Sequence, residues 1–364
     1  MAQRSAKGED VPVSLQASWT SLFEREALLL LGLVDLGEEA EFPRFRSWLS
    51  ESRHGDMRFL EQHQHLRADP RGLLPEAKQA LVFALPYFQG DQLLAARRGA
   101  YRVAQYARLK DYHRSMRERG TRVLRSLQEL YPGLQGRVTI DSAPLLERAL
   151  ASRTRRGFIG KNTLYIHPDH GSFLLLGELL LNQRLDFADE PASIKHAERS
   201  PEGGCGTCRR CQVHCPTGAL DQDYRIDARK CIAYWTIEHR GPVPFEFWPW
   251  FRLYLFGCDL CQLACPYNRR ALPTSEATRT DFATLDLFDV ATMNQQRYEQ
   301  LFGGTPLTRA KRAGLRRNAL IAMSVSEDPR LEMAMASVEA DDPEVLQDTR
   351  NQIKQWQSRQ PCQI

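Results

Sequence analysis

Cys205-Gly-Thr-Cys208-Arg-Arg-Cys211-Gln-Val-His-Cys215-Pro216 is the stretch that decides how this chain is built. A shorter run, Cys258-Asp-Leu-Cys261-Gln-Leu-Ala-Cys265-Pro266, follows it. Eight of the nine cysteines fall between Cys205 and Cys265. C-x2-C-x2-C-x3-C-P is the spacing that holds paired 4Fe–4S clusters, and the fourth cysteine of each run ligates the other cluster. The second run lacks its first cysteine, because Leu255 stands there; Cys231, between the runs, completes the eight. The expected division is Cys205, Cys208, Cys211 and Cys265 on one cluster, and Cys215, Cys231, Cys258 and Cys261 on the other. Zinc sites use two C-x2-C pairs per metal and have no need of triplets with a trailing Cys-Pro. Disulfides need an oxidising compartment. The N-terminal MAQRSAKGED is polar and lacks the apolar stretch of a signal peptide. Cys362 reads as a bystander thiol. Two clusters that share ligand runs lie close together, so the chain is expected to move single electrons.

The 364 residues leave room for two or three domains, and 42% apolar with 26% charged residues is ordinary for a globular protein. The best apolar run, Phe173–Leu181, is too short for a membrane span and contains Glu178. A cytoplasmic protein without membrane contact is expected. The net charge of +4 is unevenly spread. Arg97–Arg125 carries ten Arg or Lys against two acids, with Tyr101, Tyr106 and Tyr112 interleaved. Arg309, Lys311, Arg312, Arg316 and Arg317 form a second basic stretch. Such clusters suit a phosphate backbone and unstacked bases, or else solvated helix faces.

Along the chain, residues 1–12 read as a disordered leader. Helical patterning is expected over 15–36, 42–52 and 56–64. Leu81–Leu85, ending at Pro86, reads as a buried strand, and Asp111–Glu129 as a basic amphipathic helix. Arg137–Ile140 reads as a short strand that delivers Asp141, with Ser142 the N-cap of the next helix. Thr163–Ile166 and Ser172–Leu181 read as paired strands around the His-Pro-Asp-His-Gly turn. The expected organisation is an α/β domain over 13–200, a linker at 188–204, a two-cluster ferredoxin-like domain over 201–270, and a helical region over 271–364 with a short HEAT-like repeat. Asp141 is the first catalytic candidate, since ligands of α/β sheets collect at strand ends. An Asp before Ser-x-Pro is also a common helix cap.

Asp141-Ser-Ala-Pro-Leu-Leu-Glu-Arg, Gly157-Phe-Ile-Gly-Lys-Asn-Thr, the two cysteine runs and Cys231, taken in this order, resemble the epoxyqueuosine reductase family over about residues 15–320. The resemblance implies a cobalamin-dependent enzyme with two 4Fe–4S clusters, acting on the wobble base of tRNA with GUN anticodons in the last step of queuosine synthesis. It implies Asp141 as proton donor. It implies cobalamin contacts at Arg67, Tyr165 and Leu176, with Asp259 facing the cofactor and His239 and Arg240 meeting tRNA. It also implies an external low-potential electron donor and, we expect, a monomer. The chain departs from the family before Lys110-Asp111-Tyr112-His113, where Leu109 replaces a common Gly.

Opening an epoxide to an alkene consumes two electrons and two protons and releases water. Cob(I)alamin is a strong nucleophile or reductant for strained C–O bonds, and cysteine-ligated clusters reach potentials as low as roughly −700 mV. Phe245, Phe247, Trp248, Trp250, Phe251, Tyr254 and Phe256 could shield the clusters. A carboxyl against an apolar corrin should have a raised pKa, so Asp141 is expected to be protonated near neutrality. Asp111-Tyr112-His113-Arg114-Ser115-Met116 lacks the Gly of D-x-H-x-x-G, so cobalamin is expected base-off without a histidine ligand. The alternatives are another corrinoid reductase of the dehalogenase type, a ferredoxin-like electron-transfer subunit, and a tRNA-binding module with structural clusters.

Overall fold

The computed structural model describes residues 13–90, 102–185, 204–279, 282 and 285–359. The leader, Arg97, Arg98, Tyr101, nearly all of the linker and Cys362 lie outside these described residues. The chain opens with α1 (Val13–Arg25), then turns through Ala27 at φ 53° into β1 (Leu29–Asp35). The sequence reading had the helix running on to Leu36. The run Leu28–Val34 has no 3.6-residue spacing, and its apolar side chains are instead split between two faces of a sheet around a bulge at Gly32. After α2 (Phe42–Ser50) and α3 (Gln64–Ala68) comes β2 (Gln79–Pro86), every residue of which is buried. Next are β3 (Arg102–Val103), α4 (Tyr112–Leu130), β4 (Gly136–Thr139), α5 (Glu147–Arg153), β5 (Phe158–Ile159), β6 (Tyr165–Ile166) and β7 (Leu174–Leu181).

The central sheet has the order β1-β2-β7-β4, and each neighbouring pair is antiparallel. Leu81, Phe83 and Leu85 face the layer of α1 and α4, with Trp19, Phe23, Val123 and Leu127. Ala80, Val82 and Ala84 face the opposite layer, with Leu145, Leu150 and Tyr165. Both faces are covered, which explains why β2 reads as a continuous apolar run. Gly120 brings α4 close to the sheet, since a Cβ there would stand 2.9 Å from Val138. Two expectations fail. β6 pairs with β5, and β7 pairs with β2 and β4, so Thr163–Ile166 and Ser172–Leu181 do not form a pair. Ser142 does not cap α5: the helix starts at Glu147, and the Ser142 hydroxyl donates to the Ile140 carbonyl.

The cysteine region contains α6 (Arg210–Val213), β8 (Tyr254–Phe256) and α7 (Leu260–Leu263), and β8 lies parallel to β3. Gln262 and Asn268 bind this region to the sheet. The Gln262 amide donates to the Tyr87 hydroxyl at 3.0 Å, and the Asn268 amide donates to Ser172 Oγ at 3.0 Å. The remainder is helical: α8 (Leu287–Thr292), α9 (Gln295–Phe302), α10 (Lys311–Val325), α11 (Leu331–Ala336) and α12 (Glu344–Arg359). Every residue of α10 from Gly314 to Ser324 is buried. The aromatic run before Cys258 packs here: Phe247, Trp248, Phe251 and Phe256 share one core with Leu320, Met323, Leu346 and Ile353. The cysteine region therefore has no separate core at this boundary. No helix among the described residues is long and apolar enough to cross a membrane.

The second basic stretch does not present a row of free cations. Arg316 is 3% exposed and pairs with Asp342 at 2.7 Å, and Arg312 reaches the same carboxylate. Arg317, 1% exposed, donates to the carbonyls of Trp235 at 2.6 Å, His239 at 2.8 Å and Gly241 at 3.0 Å. It thus satisfies the end of the π-helical turn Tyr234–Glu238, whose carbonyls would otherwise be orphaned. Replacing Arg317 by Met removes the donors and leaves those carbonyls buried. We expect Arg317→Met to lose about 3–5 kcal/mol in urea unfolding of the cluster-loaded protein. A loss below about 1 kcal/mol would show that this guanidinium is not a structural peg.

Candidate active site and cysteine centres

Asp141 lies two residues past the end of β4, after Ile140, and adopts φ 50°, a conformation that Asp tolerates better than most residues. Its backbone N–H donates to Glu147 Oε1 at 2.7 Å, which fixes the turn. Its Oδ2 accepts two hydrogen bonds from the first turn of α4: the Tyr112 hydroxyl and His113 Nε2, each at 2.9 Å. His113 Nδ1 lies 3.2 Å from Asp111 Oδ1, and Asp111 caps α4 by accepting from the His113 N–H at 3.1 Å. The imidazole is stacked on Tyr112 with ring centroids 4.0 Å apart. Placed between two carboxylates, it has a raised pKa, first through its bond to Asp141 and then despite partial burial.

The Asp141 carboxyl is pulled in two directions. Burial lifts its pKa, but the hydrogen bonds from His113 and Tyr112 and the charges of His113 and Arg309 outweigh that lift, so the net shift is downward. The side chain of Asp141 is 56% exposed, so its oxygens are open to an incoming group. Arg309 reaches this neighbourhood from the C-terminal region. It pairs with Glu238 at 2.8 Å and lies 5.0 Å over the Phe59 ring.

Behind Asp141 lie two further acids that the sequence reading did not assign. Glu178, on β7 opposite Thr139, is fully buried. Its Oε2 accepts from Thr139 Oγ1 at 3.0 Å, and its Oε1 has no partner. Burial, offset in part by Thr139 and reinforced by Asp141, pushes its pKa up to about 8. Glu147 is also raised, by burial, Glu178 and Asp141, and Arg148 opposes the shift. The signal was present in the sequence: an acid inside the apolar run Phe173–Leu181 must have a structural or chemical reason to be there.

Of the residues expected to contact cobalamin, Tyr165 and Leu176 share a layer. Leu176 and Leu66, the neighbour of Arg67, pack against the core that holds Tyr165. Arg67 is 8% exposed, donates to the Gln62 carbonyl and lies 5.8 Å from the Phe45 ring. Burial alone lowers its pKa, and it has no salt bridge among the described residues. A buried cation without a counter-ion suits a ligand rich in acceptors, such as the phosphate and amides of a corrinoid. Asp259 stands apart, with Oδ2 accepting from the Gln105 N–H at 2.8 Å. Tyr106, the half-buried neighbour of Gln105, packs edge-on against Tyr112 with ring centroids 6.2 Å apart, so it stands between Asp259 and the tyrosine that holds Asp141. His239 Nδ1 lies 2.7 Å from Asp56 Oδ2, and Arg240 donates to the carbonyls of Ile237, Ala310 and Arg309. Both residues are engaged at the seam with the C-terminal helices.

The cysteines fall into two groups that cross the order of the chain. Cys205, Cys208, Cys211 and Cys265 line one open cavity of about 460 Å³. Burial and the other three thiols of this group push the Cys265 thiol up to about 11. Cys258 and Cys261 are raised by burial and by Cys231 and Cys215. Cys265 therefore sits with the first run and Cys215 with the second. Gly257, at φ 73°, turns the chain into Cys258 so tightly that a Cβ would stand 2.5 Å from Ala104. Among the described residues no three His, Cys, Asp or Glu side chains converge as one metal ion requires. The first group surrounds a volume fit for a larger inorganic core.

Glu178 gives this site a pH signature. Its unfolded pKa is near 4.5 and its folded value about 8, so between these values the unfolded chain releases a proton that the folded one keeps. Stability must therefore fall as pH rises through that window, by at most about 1.4 kcal/mol per pH unit. Glu178→Gln, neutral and isosteric, should flatten the slope of unfolding free energy between about pH 5 and 8. An unchanged slope would show that Glu178 is ionised in the fold.

Comparison with known proteins agrees with this arrangement. Residues 204–268 match the 4Fe-4S double cluster binding domain, and residues 67–142 match the family described as epoxyqueuosine reductase QueG, DUF1730. The chain is 36% identical over 280 residues to the epoxyqueuosine reductase of Cyclobacterium marinum, covering 77% of this chain and 87% of that one. It is 37% identical over 289 residues to that of Pseudomonas aeruginosa, covering 78% and 76%. A solved epoxyqueuosine reductase holding an epoxyqueuosine-modified tRNA-Tyr stem loop has the same fold, with a TM-score of 0.75 at 22% identity over 93% of this chain and 89% of that one. The chain belongs to the epoxyqueuosine reductase family.

Proposed function

We propose that this protein reduces epoxyqueuosine to queuosine at the wobble position of tRNA with a GUN anticodon, using electrons from two 4Fe–4S clusters and bound cobalamin. The observation that carries the reading is Asp141, an exposed carboxylate held by Tyr112 and His113, with Tyr112 packed on Tyr106 and the adjacent Gln105 held by Asp259 beside Cys258. Cys205, Cys208, Cys211 and Cys265 hold the outer cluster. Cys215, Cys231, Cys258 and Cys261 hold the inner one.

Cobalamin would supply low-potential reducing chemistry toward the strained C–O bond. Arg67, Tyr165 and Leu176 would hold it, and the unneutralised guanidinium of Arg67 supports that role. Asp259 orients the loop at Gln105 beside the inner cluster. Asp141 stands at the opening oxygen. Its resting carboxylate is ionised, and the proton it delivers is stored on His113. Covering Asp141 with an apolar surface removes its remaining water and shifts the shared proton from Nε2 toward Oδ2. The oxygen leaves as water after the second proton arrives, and two electrons balance the step.

The tRNA stem loop bound by the related solved protein supports an anticodon substrate here. Arg309, half exposed near Asp141, and the exposed Lys110, Arg117 and Arg125 are candidate phosphate contacts. His239 and Arg240 act at the tRNA side by holding the seam from which Arg309 projects. An expected consequence is that Asp141→Asn, loaded with both clusters and base-off cobalamin, loses about 100-fold or more of queuosine formation. Nucleosides from anaerobic digests, read by mass spectrometry, measure this. Full turnover in the variant would reject Asp141 as proton donor.

A further inference from the structure

The outer cysteine cavity opens onto a surface that the reaction does not use. Val213, in α6 between Cys211 and Cys215, is 79% exposed, more than the other exposed large apolar side chains of the described residues. Arg209, Arg210, Arg269 and Arg270 are all exposed around it or at the cavity mouth. Elsewhere the arginines of this fold commonly meet carboxylates at close range, as Arg122 meets Glu26 at 2.7 Å and Arg330 meets Asp286 at 2.7 Å. Here the ion pair of these four arginines among the described residues is a loose 3.9 Å contact between Arg270 and the exposed Asp169, and the second acid of the face, Asp223, is taken by Lys161 at 3.0 Å. Arg209 donates to the neutral Gln212, which donates to Asp223 at 2.9 Å. A positive rim around one apolar residue, beside a redox centre, has the make-up of a small transient electron-transfer interface.

We propose that this face is the docking surface for a small acidic one-electron carrier protein, which delivers electrons to the outer cluster. The inference rests on the two-cluster reading above and adds the port through which the electrons come in. The geometry favours this face over the inner cluster. Cys205, Cys208, Cys211 and Cys265 line an open cavity, whereas Cys258 and Cys261 flank the turn of Asp259, whose carboxylate holds Gln105 next to Tyr106 on the side of the Asp141 site. In each encounter the carrier is oxidised by one electron and the cluster reduced by one. Two encounters supply the pair that one epoxide consumes. An acidic protein is favoured over tRNA here because Val213 offers a base nothing to stack on, whereas an apolar side chain ringed by cations suits a folded acidic partner.

The test follows cluster absorbance of the fully loaded protein in anaerobic stopped flow, with reduced plant-type ferredoxin as the acidic carrier. Arg209→Glu/Arg269→Glu/Arg270→Glu should slow reduction by about tenfold or more at low salt, and the wild-type rate should fall steeply as salt rises. Reduction by photoreduced deazaflavin, a small molecule, should stay within about twofold of wild type, since it needs no docking patch. Val213→Asp, which adds one charge and leaves the arginines in place, should slow only the carrier reaction; it serves if the triple variant loads iron poorly. Unchanged carrier rates in both variants would overturn the proposal. So would a triple variant that keeps its carrier rate but loses tRNA affinity, because the patch would then belong to the nucleic acid. Wild-type protein whose clusters are reduced by ferredoxin but never yield queuosine would instead reject the functional reading and leave the docking surface standing.

Discussion

Eight thiols from three separated stretches must surround two centres, and the ligand runs cross in doing so. This constraint shapes much of the fold. Cys265 can join Cys205, Cys208 and Cys211 only if α7 comes back beside α6, and Gln262 and Asn268, flanking Cys265, fasten that return to Tyr87 and Ser172 on the sheet side. Cys231 joins Cys258 and Cys261 only if the chain turns back after it, and the π-helical turn at Tyr234–Glu238 opens that connection. The carbonyls freed by the turn are met by Arg317, and the Asn318 amide donates to the carbonyls of Thr236 and Leu255. A helix with two buried arginines and a buried asparagine would be a poor choice for packing alone. It serves here because the backbone it supports cannot satisfy itself.

The same economy of partners governs the acid site. Asp141, Glu147 and Glu178 lie close enough to influence one another, with Arg148 opposing only in part. Three carboxylates cannot all ionise in a partly dry wall. The structure separates them by environment. Asp141 has His113, Tyr112 and Arg309 and goes down; Glu178 has one hydroxyl and goes up. Two acids with opposite shifts beside one another form a site that can hold a proton near neutral pH and release it on demand. Proton supply and electron supply thus arrive from different directions, the first from α4 and β7, the second from the cysteine region past Tyr106.

Much of this was legible in the sequence because it depends on spacing. The cysteine grouping, the strand at Leu81–Leu85 and the basic helix after Asp111 all follow from periodic or fixed offsets, and the structure has β2 at Gln79–Pro86 and α4 at Tyr112–Leu130. What escaped depends on contacts between distant segments. Leu29–Asp35 became a strand because its partner is β2, and β6 chose β5 over β7, which was already flanked on both sides. The hydrogen bond to Asp141 from His113, 28 positions away, escaped because nothing in the sequence places the two together. Arg316 and Arg317 looked like phosphate contacts because a cation that pairs internally has the same composition as one that does not.

The crossed ligation is tested most directly by removing one thiol at a time and identifying the cluster that survives. Each of Cys208→Ala, Cys265→Ala and Cys258→Ala, reconstituted anaerobically, should retain about four irons in place of about eight. Redox titration followed by EPR then reads the remaining centre. The account predicts that Cys265→Ala and Cys208→Ala leave the same cluster, with one shared potential and spectrum, and that Cys258→Ala leaves the other. A Cys265→Ala spectrum matching Cys258→Ala, its neighbour in sequence, would contradict it.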